Sequence, residues 1–337
     1  MIPSKERLAE LIGRLGGRRA LVLGDLMLDE YVTGVVSRIS PEAPVPVVEV
    51  DLDRHTDTPG GAGNVAHNLR ALGAEVRVLG VVGADAPGEV LRRRLDDTGV
   101  DTSGVLVDDT RPTTVKTRII AHSQQVVRVD RECREPLADD VAGRLLALLE
   151  EQLARGADAL LISDYDKGIA RGTLAEAAIR ACARRRVPAT ANPKPPNLGR
   201  FQGAAVVVLN HLEAEAACGC RLRDEGEIRA AAEALRARLD LGALLVTRGA
   251  LGTLLVEPGG VAHASPAVPV PVYDVVGAGD TAFSALTLAL AAGAAPVEAA
   301  ALANLAGGAV VRKAGTAVVG PEELREMLGG RAGGDEW

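Results

Sequence analysis

The sequence predicts an α/β fold: a mostly parallel sheet covered by helices on both faces, with a smaller β-sheet attached. Three observations carry this. Nearly continuous apolar runs alternate with stretches of helical period along most of the 337 residues, the pattern of parallel strands buried on both faces. Residues 31–58 and 113–130 interrupt it with alternating β-branched and polar residues, and Pro41, Pro44 and Pro46 argue for extended chain or edge strands rather than helix in the first of them. Hydrophobic residues make up 47% of the chain, enough for a substantial core, and no repeat or linker divides it.

Taken in order, residues 4–18 read as an amphipathic helix and 20–25 as a buried strand ending on an acid. After the extended 31–58 segment come helix 62–72, strand 76–82, helix 87–98 and extended segments at 104–107, 113–121 and 125–130. Helix 138–154, strand 158–162, helix 172–185, strand 187–191, strand 205–208, helices 211–217 and 225–239 and strand 243–246 follow. A hairpin-like stretch spans 253–273, and helices at 280–292 and 296–313 close the domain, taken as residues 1–327. Residues 328–337 are Gly-rich and charged and are expected to fray.

Composition excludes several classes. The net charge is −7 without a long Lys or Arg run, so no nucleic-acid footprint is expected; Arg92–Arg94 and Arg184–Arg186 fall late in helices, where cations suit the dipole. Aromatic residues are only 2% of the chain, which argues against base-stacking platforms. Cys133, Cys182, Cys218 and Cys220 form no CxxC pair or zinc spacing, and with no signal peptide a cytoplasmic setting is expected. Cys218 and Cys220 read as two small buried hydrophobes. No charge-free apolar run reaches the roughly 20 residues of a membrane span.

The strongest chemical signal is Asp274-Val-Val-Gly-Ala-Gly-Asp-Thr281, a small-residue turn leading into an apolar helix. Glycines at Gly277 and Gly279 let backbone N–H groups approach an anion, and the helix N-terminus favours negative charge. Asp280 is the exception: a carboxylate in an anion-binding turn has a purpose as the acceptor of a proton from an attacking hydroxyl. The residues alone leave a second reading open, with Asp280 as an N-cap. The turn is neither a Walker loop nor a dinucleotide fingerprint.

The GAGDT run, with an aspartate ahead of it, resembles the C-terminal signature of the PfkB/ribokinase family of carbohydrate kinases. Gly60-Gly-Ala-Gly-Asn64 is similar to the family's N-terminal glycine motif, and Gly24-Asp25 to its sugar-binding aspartate position. Asn210-His-Leu-Glu213 is similar to its NxxE motif, and Thr247-Arg-Gly249-Ala-Leu-Gly252 to the turn along the nucleotide. The resemblance implies a ribokinase-like central sheet with a β-sheet lid, Asp280 as base, and an anion cradle at Gly277, Ala278 and Gly279. It implies sugar contacts at Asp25, Gly60, Gly61 and Asn64, and ATP contacts at Thr247, Gly249, Gly252 and Asn304. Asn210 and Glu213 would handle Mg2+ and phosphates, and a K+ ion would lie near Asp274 and residues 310–315. The plainer readings are that Asp25 caps a loop, Asn64 is an N-cap, Asn210 and Glu213 form a capping box, and Thr247 and Gly249 make a turn.

Ser37-Arg-Ile-Ser-Pro-Glu-Ala-Pro-Val-Pro-Val-Val48 resembles, more closely, kinases of D-glycero-D-manno-heptose 7-phosphate and the kinase domain of the bifunctional heptose kinase/adenylyltransferases. Thr114-Val-Lys-Thr-Arg118, Gln124-Gln-Val-Val-Arg128 and Ser163-Asp-Tyr-Asp-Lys-Gly168 extend that likeness. The implied product is heptose 1,7-bisphosphate, and Lys116, Arg118 and Arg128 are candidates for the substrate's phosphate. No HxGH-like motif occurs, so a kinase without a nucleotidyltransferase domain is expected, with the lid as a homodimer contact. Asn192-Pro-Lys-Pro195 and Val276 depart from the heptose-kinase pattern. They leave open another sugar, such as fructose 1-phosphate, another hexose phosphate or ribose. A sugar-binding protein without turnover is the alternative from another class.

Overall fold

The computed structural model describes residues 3–122 and 124–329; the expected fraying of the last residues falls, from 330 on, outside them. The chain opens with α1 (Lys5–Gly13), β1 (Arg19–Gly24) and the long strands β2 (Leu26–Ile39) and β3 (Pro46–Gly61). Then come α2 (Ala62–Ala71), β4 (Glu75–Gly83), α3 (Ala86–Asp97), β5 (Asp101–Asp108), β6 (Thr114–Ala121) and β7 (Gln124–Arg131). The second half runs α4 (Asp139–Ala154), β8 (Ala159–Ser163), α5 (Leu174–Arg184), β9 (Ala189–Asn192), β10 (Val206–Asn210), α6 (His211–Cys218), α7 (Glu225–Arg238) and β11 (Ala243–Thr247). Hairpin strands β12 (Thr253–Glu257) and β13 (Val261–Ser265) precede α8 (Ala278–Ala291), α9 (Pro296–Val310) and α10 (Pro321–Gly329).

Among the described residues the larger sheet has nine strands, ordered β13-β12-β11-β10-β9-β8-β1-β4-β5. The run from β11 to β5 is parallel, and β12 and β13 join antiparallel. Alternation along β1 shows why both faces are covered. Val22 belongs to the same core cluster as Leu8, Leu69, Phe283 and Leu305 from α1, α2, α8 and α9, whereas Leu21 and Leu23 belong to the cluster that holds Leu145, Ile179 and Leu235 from α4, α5 and α7. The carboxyl ends of β1, β8, β9, β10 and β11 therefore open on one edge, where parallel sheets bind ligands.

The smaller sheet is ordered β3-β2-β6-β7. Its register pairs Asp29 with Lys116, Tyr31 with Arg118, and Arg118 with Arg128, so these five side chains share one face. Val32, Ile119 and Val127 are likewise opposite one another on the other face.

Several expectations need adjustment. The prolines at 41, 44 and 46 do not fragment the extended region; Pro41 and Pro44 lie in the turn between β2 and β3 and Pro46 begins β3, which is why both strands are long. The hairpin stops at Ser265, because Pro266, Pro269 and Pro271 withdraw donors from any ladder and the chain continues as a loop to Gly277. The last expected helix ends at Val310, and α10 then buries Leu324 and Leu328 against the core. Its nine residues carry too few apolar positions to mark the helix in the sequence. Cys220 is exposed and Cys218 half-buried, so only Cys182 of the four free cysteines is a buried hydrophobe.

Candidate active site

Helices α2 and α8 meet at the open edge, and their polar residues interlock. Thr281 Oγ1 donates to Asn68 Oδ1 at 2.7 Å, Asn68 Nδ2 donates to Asn64 O at 2.9 Å, and Asn64 Nδ2 donates to Asp280 Oδ2 at 2.7 Å. The N-cap of α8 is Gly277, at φ +79, and Asp280 lies in the first turn; the capping reading of Asp280 is thereby set aside. Asn64 is not a cap either, since α2 begins at Ala62 with Gly61 ahead of it. Gly61 has φ +55, and a Cβ there would lie 2.6 Å from Asp25 O. A Cβ on Gly60 would run into the Asp29 carboxylate, so the GG pair is what lets β3 turn into α2 against β1 and β2.

The other oxygen of Asp280, Oδ1, accepts a hydrogen bond from Tyr165 Oη at 2.9 Å. Burial raises the Asp280 carboxyl above the ordinary carboxylate range; the Asn64 and Tyr165 hydrogen bonds and the Lys194 charge oppose this, and Asp29 adds to it. Burial, then the adjacent Asp280 charge, push the Tyr165 phenol well above its usual value, which keeps it a donor. Lys194 Nζ lies 5.0 Å from the centroid of the Tyr165 ring and donates to Glu213 Oε1 at 2.7 Å.

Asp25, the expected sugar ligand, sits 2% exposed with both oxygens engaged. Oδ2 accepts from Tyr165 N at 2.8 Å and Lys167 N at 3.0 Å, and Oδ1 from Ile169 N at 3.2 Å. Burial and the Asp164 charge push its carboxyl up to about 6 against those bonds. It anchors the loop after β8, which corresponds to the plainer loop-capping reading. Asp29 instead turns toward Gly60 and pairs with Arg118 at 2.6 Å.

Asn210 and Glu213 do form the capping box of α6, with Asn210 Oδ1 accepting from Glu213 N at 2.8 Å and Glu213 Oε2 from Asn210 N at 2.9 Å. A cleft of about 610 Å³ runs from there along β11 to α8 and α9; it is lined by Asn210, Thr247, Gly249, Gly252, Ala278, Gly279 and Asn304. The residues assigned to the nucleotide thus share one cavity, which ends on the turn that precedes Asp280. Asn304 Nδ2 donates to Pro266 O at 2.7 Å, fixing the cleft wall. Ala278 N, one of the three N–H groups expected to form the anion cradle, is turned to Val275 O at 3.2 Å.

Asp274 Oδ1 accepts from Val276 N at 3.0 Å and Oδ2 from Gly315 N at 2.8 Å, which hold its carboxyl below the usual range and tie the loop to residues 310–315. The three cations proposed for a substrate phosphate lie together on the lid face but in ion pairs. Arg118 is on Asp29 and against Tyr31, while Lys116 and Arg128 are on Asp130 at 3.3 and 2.8 Å. Asn192 Nδ2 donates to Val208 O at 2.8 Å, holding β9 to β10. Sequence reasoning missed Tyr165, Lys194 and Asp29. Tyr165 has one usable signal: it is one of three tyrosines and sits inside the Ser163–Gly168 motif.

The pfkB family carbohydrate kinase profile matches residues 19–323, and the chain belongs to that family. It is similar to the "Bifunctional protein HldE" of Geobacter metallireducens, 46% identical over 311 residues, and of Pseudomonas aeruginosa, 45% identical over 308 residues. These matches cover 92% and 91% of this chain; the chain spans 63% of the length of each relative. The fold is shared with phosphofructokinase-2 from Escherichia coli (TM-score 0.75, 22% identity, 93% of this chain and 98% of that one). It is shared also with Arabidopsis thaliana ribokinase (TM-score 0.73, 19% identity, 93% of this chain and 99% of that one).

Proposed function

We propose that this chain transfers the γ-phosphoryl group of ATP to O1 of D-glycero-β-D-manno-heptose 7-phosphate, giving heptose 1,7-bisphosphate and ADP. The observation that carries the reading is Asp280, held by Asn64 at 2.7 Å beside the cleft of about 610 Å³ that ends on its turn. The heptose rests on the motif likeness and on relatives named HldE. Asp280 accepts the proton of the anomeric hydroxyl as that oxygen attacks phosphorus. The N–H groups of Gly277, Ala278 and Gly279 stabilise the charge on the transferring group, for which Ala278 N leaves its turn bond. Asn64, Asp29, Gly60 and Gly61 form the sugar side, with Asp25 acting through the loop it anchors.

Mg2+ would be carried mainly by phosphate oxygens and water at the end of the cleft that Asn210 lines. When bound, it neutralises charge on the transferring phosphoryl group. Asn210 and Glu213 would reach it through water, since Glu213 is already committed to its cap and to Lys194. K+ fits beside Asp274, whose ionised carboxyl faces the 310–315 stretch; a neighbour of the same fold is described in complex with potassium. Lys116, Arg118 and Arg128 would exchange their acidic partners for the substrate's phosphate. A homodimer through the outer lid face, with Val127 and Val129 45% and 53% exposed, and a cytoplasmic setting complete the proposal.

The test is ATP consumption with Mg2+ and K+ against a panel of sugars and sugar phosphates. Turnover confined to the heptose 7-phosphate is expected. Turnover on a different sugar would reject the heptose, and binding without turnover would reject the kinase.

A further inference from the structure

Both oxygens of Asp280 are held from outside its own helix, one by Asn64 on α2 and the other by Tyr165 on the loop after β8. That loop is itself fixed. Asp25 accepts the N–H of Tyr165, Asp164 accepts the N–H of Asp166 at 2.8 Å, and Asp166 sits at φ +60, a backbone state that favours the short polar side chain found there. Lys194 lies over the ring. The arrangement aims one phenol hydroxyl at one carboxylate oxygen, and nothing in the transfer chemistry as described so far uses it.

We infer that Tyr165 is the positioning residue of the base: its hydroxyl fixes the carboxylate plane of Asp280 and holds down its basicity, and Asp25 exists at the end of β1 to place Tyr165. The inference rests on the kinase reading. Each carboxylate oxygen has two lone-pair directions; Asn64 and Tyr165 take one apiece and leave the others for the acceptor hydroxyl. A neutral donor on the ionised form favours that form, so it offsets the effect of burial on Asp280. The charged or titratable groups facing Asp280 are Tyr165 from the β8 loop, Lys194 from the β9 loop and Asp29 from β2, with Asn64 as the neutral partner from α2. Of these, the phenol and Asn64 hydrogen-bond to it directly.

The experiment is the pH profile of kcat/KM for the accepted sugar, at saturating Mg2+-ATP, in wild type, Tyr165→Phe and Tyr165→Leu. Loss of the donor is expected to move the acid limb of Tyr165→Phe upward by about one pH unit, to lower kcat several-fold and, in a second series with ATP varied at saturating sugar, to leave the KM for ATP unchanged. Tyr165→Leu is expected to show the same displacement, because the hydroxyl and not the ring carries it. Superimposable profiles, a downward displacement, or a displacement seen with Leu and not with Phe would overturn the inference while leaving the kinase reading intact. A wild-type protein without turnover on any sugar would overturn both, and it is recognised first because wild type is measured first.

Discussion

A carboxylate that accepts a proton beside an incoming phosphoryl group must stay ionised among anions. Asp280, the proposed base, would meet that demand through two neutral donors and the nearby Lys194 charge, against the desolvation that raises its pKa. The sign for activity is direct: the base works when deprotonated, so kcat/KM falls as pH drops through a pKa above the ordinary carboxylate value. A pH–rate profile of the wild type should show its acid limb displaced upward from about 4. Backbone at the same site is equally committed. Gly61→Ala forces a side chain into φ +55 and onto the Asp25 carbonyl, and should cost about 2 kcal/mol or more in urea unfolding. The Asp25 pocket was the least legible feature at this scale. The sequence places an acid at a strand end, but whether its oxygens meet sugar or backbone depends on residues 165–169, roughly 140 positions away.

At the scale of elements, the alternation of apolar runs and helical periods located most strands and helices because packing on both faces of a parallel sheet enforces those patterns. It failed where packing is thin or local chemistry dominates, as at the proline-rich loop after β13 and at α10. Motifs at element ends were legible as chemistry: Asn210 and Glu213 do cap α6, and the GAGDT turn does open α8. Contacts between elements were not, since Tyr165, Lys194 and Asn64 converge on Asp280 only through the sheet order. Asn210→Ala should lower stability by about 1 kcal/mol, read as a shift in the urea midpoint with an unchanged slope. A larger loss would assign Asn210 a structural role beyond the cap.

For the whole molecule, the smaller sheet carries Asp29, Lys116, Arg118 and Arg128 on one face and Val32, Ile119 and Val127 on the other, and in the proposed function the first face covers the sugar. If the second face pairs two copies, Val127→Lys together with Val129→Lys should convert a dimer into a monomer in sedimentation, with the nine-stranded sheet intact by circular dichroism. A wild-type monomer would contradict the pairing. Among the described residues no helix is long and apolar enough to cross a membrane. The central claim, that a family fold, a nucleotide cleft and a lid serve proton transfer at Asp280, is tested most directly by the turnover of Asp280→Asn against wild type on the accepted sugar. The account predicts a loss of at least about a thousand-fold in kcat with unchanged thermal unfolding. Near-wild-type turnover in that variant would contradict it.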